Sequence, residues 1–156
     1  MIVMEIPGRG TLHIDHLVLD VNGTLALDGN LLDGVQDVLT ALSQHVEVHM
    51  LTANTHGQQE AIDRQLGMRA SIIPPGEEAE AKAAYVRDLD PQHVVAIGQG
   101  ANDAGMLAEA AIGICVLSGE GIALAALQAA DLLMPDIHSA LHALQNPRRL
   151  VATLRA

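Results

Sequence analysis

Four parts of the sequence have the residue types and the order that phosphoryl transfer requires. Asp20 ends an apolar run, and Thr52 ends a second one. Lys82 is the only lysine of the chain, and the glycine-rich acidic loop Gly98–Asp103 ends a third apolar run. Phosphoryl transfer needs an in-line nucleophile and positive charge around the transferring oxygens, which a carboxylate and a lysine supply. The sequence therefore indicates a phosphoryl-transfer site built from residues far apart in the chain.

Short apolar runs that alternate with amphipathic segments must position these residues. The alternation is typical of a parallel sheet connected by crossover helices. The predicted strands are Leu17–Val21, Val46–Ala53, Ala70–Ile73, Val94–Gly98, Ile112–Leu117 and Leu132–Met134. The predicted helices are Leu31–Gln44, His56–Leu66, Glu77–Leu89, Ala104–Ala110, Ile122–Ala130 and Ile137–Leu144. Because open parallel sheets bind ligands at the carboxyl ends of their strands, we expect the four parts to meet in one crevice.

The expected fold class is α/β, a single Rossmann-like three-layer α/β/α sandwich with a mainly parallel sheet, formed by residues 1–156 as one domain. Met1–Ile14 is predicted to form two short strands around a Pro-Gly turn, an N-terminal edge hairpin. Arg148, Arg149 and Arg155 are expected to end a helix, where positive charge interacts favourably with the helix dipole.

Composition excludes several classes of function. The chain has one tyrosine, no phenylalanine and no tryptophan, so its core must be built from aliphatic residues and methionine. The net charge of -11 argues against nucleic-acid binding, which needs basic surface. No apolar run approaches the ~20 residues of a membrane span, and the N-terminus has no signal-peptide pattern. Cys115 is the single cysteine and is expected to be a small buried hydrophobe, which makes a reducing cytoplasm the expected location.

Together the four parts resemble the motifs of the haloacid dehalogenase (HAD) superfamily. Its motifs are a strand ending in Asp-x-Asp-Gly-Thr, a strand ending in Thr or Ser, a lysine, and the loop Gly-Asp-Gly-x-Asn-Asp. The corresponding residues here are Asp20–Thr24, Thr52, Lys82 and Gly98–Asp103. Two of the carboxylates of the superfamily are amides in this chain, Asn22 and Gln99. The resemblance spans roughly residues 12–135 and is strongest to the uncapped, soluble P-type-ATPase-like branch.

This resemblance implies a role for each matched residue. Asp20 is the nucleophile that forms an aspartyl phosphate, and Lys82 neutralises the nucleophile and the phosphate together. The implied phosphate-binding residues are Thr52, Ala53 and the backbone amides of Asn22 and Gly23. Mg²⁺ is the implied cofactor, and its implied ligands are Asp20, the backbone carbonyl of Asn22, Asp103 and, weakly, Gln99 in place of a carboxylate.

The two amides bear directly on activity. In the superfamily, the second acid of the first motif protonates the leaving group and then activates water, whereas Asn22 has no proton to exchange. The resemblance therefore implies slow hydrolysis, and Gln99 implies weak metal binding. The expected function is an Mg²⁺-dependent HAD-type phosphohydrolase that acts through Asp20 on a small phosphorylated substrate or a phosphoprotein. The alternative is a catalytically impaired protein that binds a phosphorylated ligand or a protein partner.

The intervals after the first and second motifs have room for one helix each, so the chain is expected to lack a cap domain. Leu25–Leu32 is then expected to form a small flap beside an open site, which is compatible with a homo-oligomer.

Three features allow other interpretations. The dipeptide Asn22–Gly23 between apolar residues also fits a plain β-hairpin turn. His138 and His142 have the i, i+4 spacing of metal ligands, although without a third ligand a solvated or capping role is favoured. Asn54 and His56 follow the second strand and are expected at the mouth of the pocket.

Overall fold

The computed structural model describes residues 1–54 and 57–156. Its strands are β1 (Ile2–Ile6), β2 (Gly10–Ile14), β3 (His16–Asp20), β4 (Ala26–Leu27), β5 (Asn30–Leu31), β6 (Glu47–Thr52), β7 (Ser71–Ile72), β8 (Val94–Gly98), β9 (Ile112–Val116) and β10 (Leu132–Met134). Its α-helices are α1 (Val35–Leu42), α2 (Gln59–Leu66), α3 (Glu78–Asp88), α4 (Ala104–Glu109), α5 (Leu124–Ala129), α6 (Ile137–Gln145) and α7 (Arg148–Leu154). Short 3₁₀ turns span Pro91–His93 and Ala101–Asp103.

Six parallel strands form the central sheet, in the order β10-β9-β8-β3-β6-β7. The order reverses next to β3, since the chain first builds outward through β6 and later crosses back to β8 on the other side. Such a reversal leaves a crevice at the carboxyl ends of the strands. The carboxyl ends of β3, β6 and β8 therefore share one edge of the sheet.

Helices cover both faces of this sheet and bury two apolar layers. Helices α1, α2, α6 and α7 contribute to the first layer, through residues such as Leu39 and Leu141. Helices α3, α4 and α5 contribute to the second, through residues such as Val86 and Leu107. The three-layer α/β/α prediction is confirmed. Cys115 is fully buried in the second layer, as predicted.

The N-terminal hairpin differs from the prediction in its place. Strands β1 and β2 pair antiparallel, but they form a sheet of their own and do not extend the central one. Alternate residues of β1, namely Ile2, Met4 and Ile6, are buried. They pack into the first apolar layer, so the hairpin covers the core instead of lengthening the sheet.

The predicted flap is a small antiparallel hairpin formed by β4 and β5. Asp28 and Gly29 at its tip have φ of 50° and 79°, the left-handed conformation that a tight hairpin turn requires. Because the flap occupies these residues, α1 begins at Val35 instead of Leu31. Asn22 and Gly23 do form a turn, in which the Thr24 amide donates to the Val21 carbonyl at 3.2 Å. This turn does not join a hairpin, because both neighbours of β3 are parallel strands.

Of the three C-terminal arginines, Arg155 lies at the end of a helix as predicted, as the C-cap residue of α7, whereas Arg148 and Arg149 do not. Helix α6 ends at Gln145, and α7 begins at Arg148 after Pro147, which interrupts the helical backbone. Arg148 and Arg149 consequently lie in the first turn of α7, where they gain nothing from the helix dipole.

No cap domain interrupts the part of the chain that the structure describes. The interval between β3 and β6 holds the flap and α1, and the interval between β6 and α3 holds α2 and β7. The prediction of an uncapped fold is confirmed. Among the described helices, none has both the length and the apolar character that crossing a membrane demands.

Candidate active site

The sheet order brings three of the predicted parts to one edge. Asp20 is the last residue of β3, and Thr52 is the last residue of its neighbour β6. The loop Gly98–Asp103 follows β8, the neighbour on the other side. Helix α3, which packs against α4 on the second face, brings Lys82 to the same edge. The predicted convergence is therefore present in the structure.

A buried ion group of three residues lies at the centre of this edge. The Lys82 Nζ donates hydrogen bonds to Asp20 Oδ1 and to Asp103 Oδ1, each at 2.7 Å. Asp20 is 5% exposed, Lys82 2% and Asp103 0%. One ammonium thus faces two carboxylates in a region that water reaches poorly, where ionic interactions are strong and an unpaired charge is costly.

The excess of negative charge in this group shifts the pKa values of Asp20 and Lys82. Burial, together with the neighbouring Asp103 carboxylate, raises the pKa of Asp20 from its ordinary value of 3.8 to about 7, and Lys82 offsets this only in part. Burial alone lowers the pKa of Lys82, but the two carboxylates outweigh that effect and raise the pKa above its ordinary value. Lys82 therefore keeps its proton, and the pKa of Asp20 lies well above that of an ordinary aspartate.

Hydrogen bonds hold both carboxylate oxygens of Asp103. Its Oδ2 accepts hydrogen bonds from the backbone amides of Gln99 at 3.0 Å and Gly100 at 2.9 Å, while its Oδ1 is bonded to Lys82. Both oxygens are therefore occupied, and the side chain is completely buried. In this structure the Asp103 carboxylate closes its own loop and positions Lys82, and direct metal binding by Asp103 stays a prediction.

Side-chain hydrogen bonds fix the other predicted polar residues around Asp20. The Asn22 side-chain amide donates to Thr52 Oγ1 at 3.0 Å, and the backbone amide of Asn54 donates to the same oxygen at 2.9 Å. The Thr24 hydroxyl donates to Asp20 Oδ2 at 3.2 Å. Thr52 is fully buried, and its hydroxyl connects the first two motifs by accepting the hydrogen bond from Asn22.

The backbone amide of Gly23 already has a hydrogen-bond partner within the chain. Its backbone amide donates to the Ala26 carbonyl at 2.7 Å, which closes the turn after β3. This hydrogen bond occupies the amide in the structure, and phosphate binding by Gly23 stays a prediction. Its φ of 82° lies in the left-handed region that favours glycine, and a Cβ here would displace the ends of the Gln99 and Glu120 side chains.

Glu120 is a site residue that the sequence pattern did not reveal. It lies in the loop after β9, and its Oε2 accepts a hydrogen bond from Gln99 Nε2 at 3.4 Å. No motif spacing marks this position. The signal that points to it is structural, because loops after the carboxyl ends of parallel strands supply ligand-binding residues.

These residues border a cleft of about 720 Å³. Its lining residues are Asp20, Asn22, Ala53, Glu78, Lys82, Gln99, Gly100, Ala101, Asn102, Glu120, Gly121, Ile122 and Ala123. Three acidic side chains face it with a single lysine, and the oxygen atoms of Asp20, Gln99 and Glu120 are of the kind that hard cations prefer. The donor set of the cleft thus fits Mg²⁺.

Three of the remaining predicted positions, Asn54, His138 and His142, do not line the cleft. Asn54 accepts a hydrogen bond from the backbone amide of Gln59 through its side chain at the start of α2, and His56 lies outside the described residues. His138 is bonded to the Asp33 carbonyl, and His142 is bonded to Gln145. Within the described residues, no third ligand joins these two histidines, which agrees with the capping or solvated role favoured from the sequence.

Residues 5–111 match the family model of the haloacid dehalogenase-like hydrolases. An uncharacterized protein of Methanocaldococcus jannaschii is 37% identical over 84 residues, which cover 51% of this chain and 90% of that protein. A copper-exporting P-type ATPase of Staphylococcus aureus is 33% identical over 118 residues, or 72% of this chain. The chain spans only 14% of the length of that pump.

Among solved structures, the 3-deoxy-D-manno-octulosonate 8-phosphate phosphatase of Moraxella catarrhalis superposes with a TM-score of 0.66. The superposition covers 92% of this chain and 94% of that one at 20% identity, so it shows a shared fold. That phosphatase was solved with a magnesium ion, a phosphate ion and a KDO molecule.

Proposed function

The chain belongs to the haloacid dehalogenase-like hydrolases, and on that premise we propose that it is a slow, Mg²⁺-dependent phosphohydrolase that works through an aspartyl phosphate on Asp20. The observation that carries the proposal is the pairing of Asp20 with Lys82 at the floor of the cleft. A carboxylate held against a buried cation at the switch point of a parallel sheet is the arrangement that phosphoryl transfer requires.

In the first step, a carboxylate oxygen of Asp20 attacks the phosphorus of the substrate, and the bond to the leaving oxygen breaks as the new P–O bond forms. Lys82 holds positive charge beside the attacking carboxylate and the transferring oxygens. In the second step, water attacks the phosphorus of the aspartyl phosphate, inorganic phosphate leaves, and the Asp20 carboxylate is restored.

Proton transfer is the weak part of this cycle. Asn22 occupies the position of the acid that would protonate the leaving group and deprotonate water, and its side chain is instead bonded to Thr52. The leaving group must take its proton from solvent, and the hydrolytic water has no base at that position. General acid–base catalysis typically contributes about 10²–10⁴-fold, so we expect substrates with good leaving groups and a long-lived phosphoenzyme.

Mg²⁺ would be held by Asp20, the Asn22 carbonyl, Gln99 and Glu120. When bound, it would neutralise negative charge on the transferring phosphoryl oxygens. Glu120 supplies the carboxylate that the Gln99 position lacks, since the two side chains are hydrogen-bonded to each other in the cleft that Asp20 also lines. The Mg²⁺-bound state of the similar Moraxella phosphatase supports this choice of ion.

A second candidate function is recognition of a phosphorylated ligand or protein without turnover. The amides at Asn22 and Gln99 favour it, because both remove groups that turnover uses. Its binding residues would be those of the proposed enzyme, so kinetic measurements must separate the two.

The test is phosphate release from acetyl phosphate and small phosphomonoesters, measured with Mg²⁺ and with a chelator. We expect slow release that requires Mg²⁺ and disappears in Asp20→Asn. Release that survives Asp20→Asn would contradict the mechanism. Calorimetric binding of inorganic phosphate with Mg²⁺, without turnover of any donor, would favour the binding protein.

A further inference from the structure

A second group of ligating side chains lies at the opposite end of the central sheet. We propose that His16, Glu47 and His49, here called the His/Glu cluster, form a binding site for a divalent transition-metal ion such as Zn²⁺. His16 is the first residue of β3, and Glu47 is its register partner at the start of β6. His49 is two residues further along β6, so its side chain is on the same face of the sheet as Glu47.

The distances within the cluster suit a single ion. His16 Nδ1 lies 3.1 Å from His49 Nε2 and 3.5 Å from Glu47 Oε2, and His49 Nε2 lies 4.0 Å from Glu47 Oε1. Tetrahedral zinc with bonds of ~2.0–2.1 Å separates its donor atoms by about 3.3 Å. Small side-chain rotations would therefore bring all three donors to one ion. Within the described residues, this is the one group of three such side chains whose ligand atoms lie within 4.8 Å of one another.

Tyr85 provides the support that metal-binding histidines usually have. Its hydroxyl lies 3.0 Å from His49 Nδ1, the ring nitrogen that faces away from the cluster. A hydrogen bond there fixes the ring orientation and leaves Nε2 directed at the ion.

The donor types determine the class of ion. Two imidazoles and one carboxylate suit first-row transition metals, whereas Mg²⁺ prefers oxygen alone. The side chain of His49 is 9% exposed and that of Glu47 is 68% exposed. The cluster thus has a buried ligand, His49, and a solvent-exposed ligand, Glu47. An ion can enter from the exposed side, and a water molecule can complete its coordination there.

The His/Glu cluster is separate from the cleft, but β3 and α3 each contribute residues to both regions. His16 and Asp20 are the two ends of β3, about 13 Å apart at the rise of an extended strand. Tyr85 lies on α3 three residues after Lys82, on the same side of the helix. An ion bound at the cluster would tie β3, β6 and α3 together, and these are the elements that hold Asp20, Thr52 and Lys82.

The test is titration of the intact protein with Zn²⁺ in excess Mg²⁺, together with the absorption spectrum of the Co²⁺ form. We expect one Zn²⁺ per chain, nitrogen-ligated Co²⁺ bands and a raised unfolding temperature. Glu47→Gln and His49→Gln should each weaken binding by at least about tenfold, and Tyr85→Phe by about tenfold. Glu47→Gln keeps the test decisive if His49→Gln misfolds, because Glu47 is exposed.

The matched control is the double variant His138→Gln/His142→Gln, which removes two histidines outside the cluster and should bind Zn²⁺ like the wild type. Absence of stoichiometric binding would overturn the proposal and leave the cluster as a hydrogen-bond network. Zn²⁺ that persists in the cluster variants but is lost in Asp20→Asn would place the ion in the cleft, which would also overturn it.

Discussion

The Lys82 ammonium lies 2.7 Å from the Asp20 carboxylate, and both groups are almost completely buried. The same nitrogen is 2.7 Å from Asp103, so one positive charge is shared between two negative ones. The shared charge holds the Asp20 carboxylate at the cleft that it lines. It also leaves one carboxylate without a full partner, which makes the site electrostatically costly to the fold.

Replacing Asp20 with asparagine should stabilise the protein at alkaline pH. The raised pKa of about 7 means that folded Asp20 holds its proton between pH 3.8 and about 7, whereas the unfolded chain releases it. Stability contributed by this group is therefore present below pH 3.8 and is lost as pH rises to about 7. Thermal unfolding should show Asp20→Asn above the wild type at about pH 8, with the difference shrinking toward about pH 4. A variant less stable than the wild type under the alkaline condition would show that the ionised carboxylate stabilises the fold.

Phosphoenzyme formation should depend on the ionisation of Asp20. Only the carboxylate attacks phosphorus, so the rate should rise about tenfold per pH unit below the pKa and level off above about pH 7. Bound Mg²⁺ favours the ionised form, so raising its concentration should move the midpoint to lower pH. Single-turnover rates across pH at two Mg²⁺ concentrations would measure both effects. A rate independent of pH from about 5 to about 8 would argue against this titration.

Asn22→Asp should accelerate hydrolysis of the phosphoenzyme. The new carboxyl group restores a proton donor and acceptor beside the reacting oxygens, which is worth about 10²–10⁴-fold in general acid–base catalysis. Steady-state phosphate release from one donor would measure the gain. Asn22→Ala is the matched control, since it also removes the amide donor to Thr52 but adds no acid. Equal acceleration in both variants would mean that the hydrogen bond, and not the missing acid, limits turnover.

Gln99→Asp should tighten Mg²⁺ binding, and Glu120→Gln should weaken it. The first change places a second carboxylate beside Glu120, and a divalent cation relieves the repulsion between them. The second change removes the carboxylate that we assign to the ion in the wild type. Calorimetric titration with Mg²⁺ would give both affinities. Opposite shifts support the assignment, whereas an unchanged affinity in Glu120→Gln would remove Glu120 from the metal site.

The sequence was sufficient for the fold and for the residues at the centre of the site. Strands such as Val94–Gly98 are wholly apolar because both faces are covered, and that pattern is visible without a structure. Asp20 and Lys82 stand out because a strand-final acid, a lone lysine and an acidic glycine-rich loop rarely follow one another in that order. Short elements that depend on tertiary packing were harder to predict. Helix α7 is an example, because its single buried residue, Leu150, leaves no apolar periodicity in the sequence.

The sequence could not predict which side chains of the site are hydrogen-bonded to one another. Asp103 and Glu120 are both acids near glycines in loops after strands, and nothing in their types separates a carboxylate that binds Lys82 from one that faces the cleft. The distinction arises from the path of the loop at Gly98, where the Asp103 carboxylate fills the space that a Cβ would occupy. The cross-strand placement of His16 beside Glu47 likewise depends on the register of β3 against β6.

Asp20 is the residue proposed to carry the phosphoryl group, and intact mass after acid quenching is the decisive measurement. The protein would be incubated with acetyl phosphate and Mg²⁺, with Asp20→Asn as the control and phosphate release followed in the same sample. We predict one added phosphoryl group on the wild type, none on Asp20→Asn, and release slower than adduct formation. An adduct of the same size on Asp20→Asn, or neither adduct nor release with several phosphoryl donors, would contradict the assignment.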